Sequence, residues 1–124
     1  MNKKILIIDD DSRNTFALQA VLKAKKFPCI TAGSAIEGIS ILKSDSDIGM
    51  VLMDMMMPEM DGYEAISVIR ADESIAGIPV IAVTAQAMKG DKDRCIKAGA
   101  DGYISKPVNV DELMKFIKVH IKDS

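Results

Sequence analysis

The sequence predicts an α/β fold with a parallel sheet, and three observations support this class. Short apolar runs that read as strands recur along the 124 residues, at positions 5–8, 29–32, 50–53, 80–83 and 103–105. Four of these runs lack clear alternation of polar and apolar residues, which is typical of strands in a sheet covered on both faces. The segments between the runs are long enough for crossover helices. Because strand and helix alternate along the chain, we expect a parallel sheet flanked by helices.

Size and composition favour one globular domain spanning residues 1–124. The chain is 48% hydrophobic, which is enough for a sizeable core. Its 16 basic and 18 acidic residues give a net charge of −2, so we expect no direct binding of nucleic acid. The run at 5–8 is too short for a signal peptide or a spanning helix. We therefore expect a cytoplasmic protein without membrane insertion, and the separated Cys29 and Cys95 fit a reducing compartment.

Amphipathic patterns predict the first and last helices. Residues 14–26 form the first helix, with Leu18, Val21 and Leu22 facing the sheet. The last helix has one apolar stripe, formed by Leu113, Phe116, Ile117 and Ile121. Its lysines lie on the opposite face and read as a solvated surface.

Two further patterns mark helix ends. Ser34 with Glu37, and Asn109 with Glu112, have the spacing of capping boxes at helix starts. Gly99 reads as the C-cap of a helix that begins near Gln86. The first half of that helix, AQAMKGDKD, has few large apolar side chains, so we expect it to be the least firmly held helix.

Polar side chains follow four of the five predicted strands. In chain order they are Asp9, Asp10 and Asp11, then Asp54, then Thr84, and then Lys106. The carboxyl ends of parallel strands meet at one edge of the sheet, where open α/β folds bind ligands, so these groups should lie together. The second strand ends in Gly33 and Ser34 without a charged residue, which favours a peripheral position for it.

Crowded carboxylates repel one another, and a bound divalent cation removes that conflict. The candidate ligands are all oxygen atoms, which favours a hard cation. A site with few protein carboxylates leaves positions for water and phosphate, so it suits Mg²⁺ better than Ca²⁺, and Mn²⁺ could substitute.

A phosphoryl group at this edge would have its negative oxygens compensated by the metal, by Lys106 and by Thr84. Asp54 is the candidate to carry that group, because a carboxylate fixed at a strand end can attack phosphorus in line. The residues therefore predict an aspartyl phosphate at position 54.

Four segments together resemble the receiver domain of two-component response regulators: ILIIDDD, VLMDMMMPEMDG, VIAVTA and GYISKP, in the family's order and spacing. The resemblance covers essentially the whole chain. It implies a flavodoxin-like three-layer sandwich, with a five-stranded parallel sheet of order 2-1-3-4-5 and five helices. It also implies a signalling domain that catalyses only its own phosphorylation and slow dephosphorylation.

Carried over residue by residue, the resemblance makes Asp9 and Asp10 the acidic pair that organises Mg²⁺, Asp10 directly and Asp9 through water. Asp54 is similar to the family's phosphoacceptor. The third metal contact is a backbone carbonyl, which falls on Met56. The extra Asp11 reads better as a cap of the first helix than as a metal ligand.

The resemblance also implies a switch. Lys106 matches the family's lysine, Thr84 the switch hydroxyl and Tyr103 the switch aromatic, with a cis bond before Pro107. Because side chains alternate along a strand, Tyr103 should point away from the face of Lys106. If Thr84 moves toward a phosphoryl oxygen, Tyr103 could fill the space it leaves and couple the site to the helix near Gln86.

Several residues have simpler interpretations. The methionines around Pro58 read as core and loop packing rather than a binding groove, and a lone His120 reads as structural.

Met56 cannot orient an attacking water, so we expect slow hydrolysis of the phosphoryl group. Gln86 would also flank the phosphoryl site in the family pattern.

Two other functional classes fit less well. A phosphatase of the haloacid dehalogenase type also uses an aspartate at a strand end, but it resembles a D-x-D pattern, and position 56 is Met. A flavin-binding electron carrier needs a phosphate cradle after the first strand, where this chain has DDDSR. The chain also has no Trp and only two Tyr to stack a flavin.

The resemblance implies a sensor histidine kinase or a histidine phosphotransfer protein as donor, and a downstream protein as target. No output segment is apparent after the last helix, so the chain should act through another protein. Two alternatives remain open at this point: a phosphorelay shuttle, or a receiver excised from a hybrid histidine kinase, whose motifs VTAQAMKGDKDRCIKAGADGYISKP resembles.

Overall fold

The computed structural model describes residues 3–85 and 90–121, in which strands and helices alternate along the chain. The strands are β1 (Lys4–Ile8), β2 (Cys29–Ala32), β3 (Ile48–Asp54), β4 (Val80–Thr84) and β5 (Gly102–Ser105). The helices are α1 (Ser12–Ala24), α2 (Ala35–Ser44), α3 (Gly62–Ala71), α4 (Asp91–Ala98) and α5 (Val110–His120). The predicted alternation is confirmed.

The strands form one sheet of order β2-β1-β3-β4-β5, in which every neighbouring pair is parallel. This is the order that the resemblance implied, with β2 at one edge. The register aligns Ile8 with Met53, and Thr84 with Ser105. All strands point the same way, so the chain segments that follow them gather at one end of the sheet.

Helices cover both faces of the sheet and enclose two apolar cores. One core joins odd-numbered positions of β1, such as Ile5 and Ile7, to Leu22 of α1 and Ile117 of α5. The other core joins the alternate strand positions to α2, α3 and α4. Its larger buried members include Leu6, Ile8, Val51, Met53, Ile39, Leu42, Ile66 and Ile69. The protein is therefore a three-layer sandwich, as predicted.

The predicted helix caps are present. Ser34 Oγ accepts a hydrogen bond from the Glu37 backbone N–H at 3.2 Å, and Asn109 Oδ1 accepts one from Glu112 at 3.0 Å. These bonds satisfy N–H groups that the first turn of a helix leaves without a partner. Gly99 ends α4 with a φ of 118°, a left-handed conformation that favours glycine.

Several element boundaries differ from the sequence prediction, and β1, β4 and β5 each extend one residue beyond their predicted ranges. Helix α1 begins at Ser12 and ends at Ala24, two residues earlier at each end than predicted, because Asp11 caps its start and Lys26 adopts a positive φ of 68° beyond its end. Strand β3 is longer than the predicted 50–53. The described part of α4 begins at Asp91, and the predicted start near Gln86 lies outside the described residues.

Within residues 3–85 and 90–121, none of the helices has the length and apolar character needed to span a bilayer.

Candidate functional site

The carboxyl-terminal edge of the sheet gathers polar side chains that the sequence places after four strands. Asp9 follows β1, Asp54 ends β3, Thr84 ends β4 and Lys106 follows β5. Asp9, Asp54 and Thr84 are buried, and carboxylates such as the first two are rarely buried unless they are paired. Their positions follow from topology, because β1, β3, β4 and β5 are consecutive in the sheet.

Three carboxylates at this edge form a compact group. Asp9, Asp10 and Asp54 each offer an oxygen atom, and these atoms all lie within 4.8 Å of one another. Asp9 and Asp54 are buried, whereas Asp10 is exposed. The group is therefore reached from solvent on the Asp10 side. An all-oxygen donor set of this size fits a hard divalent cation and gives no nitrogen or sulfur ligand for a softer metal.

Backbone N–H groups orient the two buried carboxylates. Asp9 Oδ1 accepts a hydrogen bond from the Asp11 N–H at 2.9 Å. Asp54 Oδ1 accepts one from the Met56 N–H at 3.1 Å. Each bond joins a carboxylate to the loop two residues further along the chain, so the loops after β1 and β3 hold these side chains in place.

Lys106 supplies the positive charge of the site. Its Nζ lies 3.3 Å from Asp9 Oδ2 and 3.7 Å from Asp54 Oδ1. Its backbone N–H donates to the Thr84 carbonyl at 2.8 Å, which ties the end of β5 to the end of β4. The peptide bond between Lys106 and Pro107 is cis, as the resemblance implied.

The electrostatics of Asp54 are unfavourable without a cation. The pKa of Asp54 is raised from 3.8 to about 6, chiefly by burial of the carboxyl group and also by the charge of the neighbouring Asp9. The Met56 N–H and the Lys106 ammonium act in the opposite direction, but they do not restore the ordinary pKa. One lysine therefore does not compensate the charge of the carboxylate group, and a cation bound there would stabilise the ionised form of Asp54.

Asp11 and Met56 lie next to the site, and the predicted role of Asp11 as a helix cap is confirmed. Asp11 caps α1, because its Oδ1 accepts a hydrogen bond from the Arg13 N–H at 2.9 Å. Met56 follows Asp54 in the loop after β3, and its side chain is 51% exposed. Gln86 lies outside the described residues.

Tyr103 lies on β5 and contacts α4. Its hydroxyl donates a hydrogen bond to Asp91 Oδ2 at 3.2 Å. In the register of the sheet Tyr103 is aligned with Ala82, two positions before Thr84. Tyr103 and Thr84 therefore share one face of the sheet, and Tyr103 packs against the core that contains Ala82.

The sequence reasoning did not identify Asp91 or Tyr63. The Tyr63 hydroxyl on α3 donates to Asp91 Oδ1 at 2.5 Å, so one buried carboxylate receives two phenols. In the structure Asp91 lies in the first turn of α4, where an acidic residue complements the helix dipole. Tyr63 and Asp91 are 28 positions apart in the sequence, so no local pattern could have indicated the contact.

The comparisons with known proteins agree on one family. A family model described as the response regulator receiver domain matches residues 5–118. The chain is 34% identical over 124 residues to the polar-differentiation response regulator DivK of Brucella ovis, with all of both chains covered.

Two solved structures resemble the fold closely. One is the receiver domain of the sensor histidine kinase PA1611 from Pseudomonas aeruginosa PAO1, which has a magnesium ion coordinated in its active-site cleft. It has a TM-score of 0.87 and 29% identity, with 97% of this chain and 98% of that chain covered. The other is the receiver domain of Ssk1 from Saccharomyces cerevisiae, solved with the histidine phosphotransfer protein Ypd1. It has a TM-score of 0.87 and 28% identity, with 96% of this chain and 88% of that chain covered.

These matches exclude the two rival classes considered from the sequence, the aspartate-dependent phosphatase and the flavin carrier. They match the chain over nearly its full length, and they agree with the parallel sheet order and the carboxylate group at its edge. The chain belongs to the family of response regulator receiver domains, the signalling domains of two-component systems.

Proposed function

We propose that this chain accepts a phosphoryl group on Asp54 from a phosphohistidine donor, in a magnesium-dependent reaction, and then changes its surface for a protein partner. One observation carries the proposal. The buried Asp54 carboxylate lies within reach of two further carboxylates and of the Lys106 ammonium, at 3.7 Å. A nucleophile, a cation site and a fixed positive charge thus share one edge of the sheet.

In this proposal Asp9, Asp10 and Asp54 hold Mg²⁺ together with the backbone carbonyl of Met56. Asp10 binds directly, and Asp9 acts through water. Mn²⁺ substitutes, because it accepts the same oxygen ligands. When bound by these residues, the ion would neutralise charge on the carboxylates and on the incoming phosphoryl oxygens.

The residues of the chain perform the transfer. An Asp54 carboxylate oxygen attacks phosphorus in line, so an O–P bond forms while the N–P bond of the phosphohistidine breaks and the imidazole leaves with the electron pair. The Lys106 ammonium compensates one phosphoryl oxygen, and the Thr84 hydroxyl donates to another. The chain thereby catalyses only its own phosphorylation and, slowly, its own dephosphorylation.

Thr84 and Tyr103 act as the switch. Movement of Thr84 toward the phosphoryl group opens space on the sheet face that Tyr103 shares with it. Phosphorylation then shifts an existing equilibrium between two positions of Tyr103. The output surface comprises α4, β5 and α5, where Ile96 and Val119 are exposed apolar side chains suited to a protein partner.

The donor is a sensor histidine kinase or a histidine phosphotransfer protein, and the target is a downstream protein rather than nucleic acid. The structure of the Ssk1 receiver with Ypd1 supports the second kind of donor. The full-length match to DivK, named as a response regulator, supports a receiver that signals to a target protein rather than a phosphorelay shuttle. Since histidine kinases use ATP, this function implies a cytoplasmic location.

Intact-mass measurement after incubation with acetyl phosphate tests the proposal. We expect wild type to gain one phosphoryl group with Mg²⁺ or Mn²⁺ and none with EDTA, and Asp54→Asn to gain none. Asp11→Asn is the matched control, because it removes a neighbouring carboxylate while asparagine still caps α1. It should be phosphorylated like wild type. Equal phosphorylation with EDTA, or retention of the gain in Asp54→Asn, would contradict the proposal.

A further inference from the structure

The buried carboxylate of Asp91 connects three elements of the fold. It lies in the first turn of α4 and accepts hydrogen bonds from the phenols of Tyr63 on α3 and Tyr103 on β5. Neither the phosphoryl-transfer chemistry nor the cap of α4 accounts for it, because Gly90 occupies the cap position. A buried charge that receives two donors at once is an arrangement that can hold both phenols in place.

Within this arrangement, α4 holds Tyr63 more firmly than it holds Tyr103. Its oxygen lies 2.5 Å from Asp91 Oδ1, and the Cys95 thiol donates to the same phenol oxygen at 3.8 Å. The guanidinium of Arg94 lies 3.9 Å from the centre of the Tyr63 ring. Since Arg94 and Cys95 belong to the same helix as Asp91, α4 holds Tyr63 by three contacts.

The Tyr103 side is weaker and is the side that the switch uses. Its hydrogen bond to Asp91 Oδ2 is longer, at 3.2 Å. Tyr103 lies on the same sheet face as Thr84, two aligned pairs away from it. A displacement of Tyr103 toward the position of Thr84 would move its hydroxyl from the place where it reaches Asp91 Oδ2.

We propose that Asp91 acts as a latch, by which we mean that its hydrogen bond to Tyr103 sets the equilibrium between the two positions of Tyr103. In the unphosphorylated chain its carboxylate holds the Tyr103 hydroxyl against α4, and phosphorylation of Asp54 breaks this bond while the bond to Tyr63 persists. The inference rests on the proposed function, since it requires a phosphorylated state. By linkage, a bond present only in the unphosphorylated state opposes phosphorylation, so its removal should favour the phosphorylated state.

The tyrosine emission of the chain reports this latch directly. The chain has two tyrosines, both in the latch, and no tryptophan. A phenol that donates to a carboxylate emits weakly, because the excited phenol transfers its proton to the carboxylate. In Tyr63→Phe the emission comes from Tyr103 alone. We expect it to rise when acetyl phosphate and Mg²⁺ phosphorylate Asp54, and not to rise in Tyr63→Phe with Asp54→Asn.

The second measurement is the initial rate of phosphorylation by acetyl phosphate. We expect Asp91→Asn to react about tenfold faster than wild type if phosphorylation proceeds from the conformer in which the bond is broken, since loss of a hydrogen bond to a charged group raises the population of that conformer by about that factor. Asp93→Asn is the matched control, because Asp93 is an exposed acid in the same turn of α4. In a Tyr103→Phe background the effect of Asp91→Asn should disappear, which a purely structural role of Asp91 would not produce.

The outcomes separate the latch from the proposed function. If the mass shows full phosphorylation while the Tyr103 emission stays constant, the latch is wrong and the proposed function stands. Equal rates for Asp91→Asn and Asp93→Asn would also overturn the latch. If no variant gains a phosphoryl group, both fail. The emission experiment keeps Asp91 intact, so it decides the question even if Asp91→Asn does not fold.

Discussion

At the scale of single residues, Asp54 combines a structural cost with its proposed role. Its carboxylate is 5% exposed and lies beside Asp9, and these surroundings raise its pKa to about 6. A residue chosen only for packing at the end of β3 would be apolar, like Met53 before it. The cost is understandable if the charged form is stabilised by a cation and used as a nucleophile.

The raised pKa of Asp54 predicts a pH-dependent gain in stability for Asp54→Asn. The folded pKa of about 6 exceeds the ordinary value of 3.8, so the protonated carboxyl stabilises the fold below pH 3.8, and this contribution is lost as the pH rises through 6. In EDTA at pH 7.5 we expect the variant to exceed wild type by about 1–3 kcal/mol. Urea unfolding should show this gap closing toward pH 4.

Added Mg²⁺ gives the control for that experiment. The ion stabilises the ionised carboxylate of wild type, so it should narrow the gap at pH 7.5 and leave Asp54→Asn nearly unchanged. A gap of the same size at pH 4 and pH 7.5 would contradict the assignment of the raised pKa to Asp54.

We expect Met56 to slow the hydrolysis of the proposed phosphoryl group. Its side chain is half exposed next to Asp54, and it offers no hydrogen-bonding group to orient an attacking water. We expect Met56→Asn to hydrolyse roughly tenfold faster, a change of about 1.4 kcal/mol in the barrier. Loss of the phosphoryl mass over time, after removal of acetyl phosphate, measures this rate. Met56→Leu is the apolar control, and faster decay in wild type than in Met56→Asn would refute the prediction.

The residue scale also shows what the sequence could predict of the site. Asp9, Asp10, Asp54, Thr84 and Lys106 follow directly after apolar runs, and parallel topology is enough to bring such positions together. The shared carboxylate of Asp91 could not be predicted. Its partners, Tyr63 and Tyr103, lie on two other elements, and such contacts depend on how the helices pack rather than on local spacing.

At the scale of elements, Arg70 joins α3 to the chain segments around β4 and β5. Its guanidinium donates hydrogen bonds to the carbonyls of Ala76, Ile78 and Gly99, and it forms a 2.8 Å ion pair with Asp101. The side chain is mostly buried. Arg70 thus satisfies carbonyl groups in the loops that precede β4 and β5. These loops lie at the amino-terminal ends of the strands, opposite the end that carries the carboxylate group.

We expect Arg70→Gln to lower the free energy of unfolding by about 2–4 kcal/mol, because several partly buried carbonyls lose their donor. Phosphorylation by acetyl phosphate should remain within about twofold of wild type below the unfolding transition, since Arg70 is remote from Asp54 in the fold. Arg13→Gln is the control, because Arg13 is highly exposed. Equal stability of the two variants would contradict this role of Arg70.

The bounds of the elements show where sequence patterns reach their limit. Strand β2 matched its predicted range because Pro28 and Gly33 flank a short apolar run. The predicted range of helix α1 was shifted by two residues, because the apolar stripe of the helix starts later than its cap, Asp11. Periodicity locates the buried face of a helix, whereas hydrogen bonds at its ends set its limits.

At the scale of the whole molecule, the fold class followed from alternation alone, but the strand order did not. A parallel sheet of five strands can be arranged in several orders, and apolar runs do not distinguish among them. The order came from the resemblance, and the sheet β2-β1-β3-β4-β5 confirms it. That order places β1 and β3 side by side, which is why Asp9 and Asp54 meet.

The most direct test of the whole account is to locate the phosphoryl group. Borohydride reduces an aspartyl phosphate to homoserine, so treatment of the phosphorylated protein followed by peptide mass spectrometry identifies the modified residue. We expect homoserine at position 54, formed only when Mg²⁺ and acetyl phosphate are both present. Homoserine at position 9 or 10 with an unmodified Asp54, or stable phosphorylation of a hydroxyl group, would contradict the account.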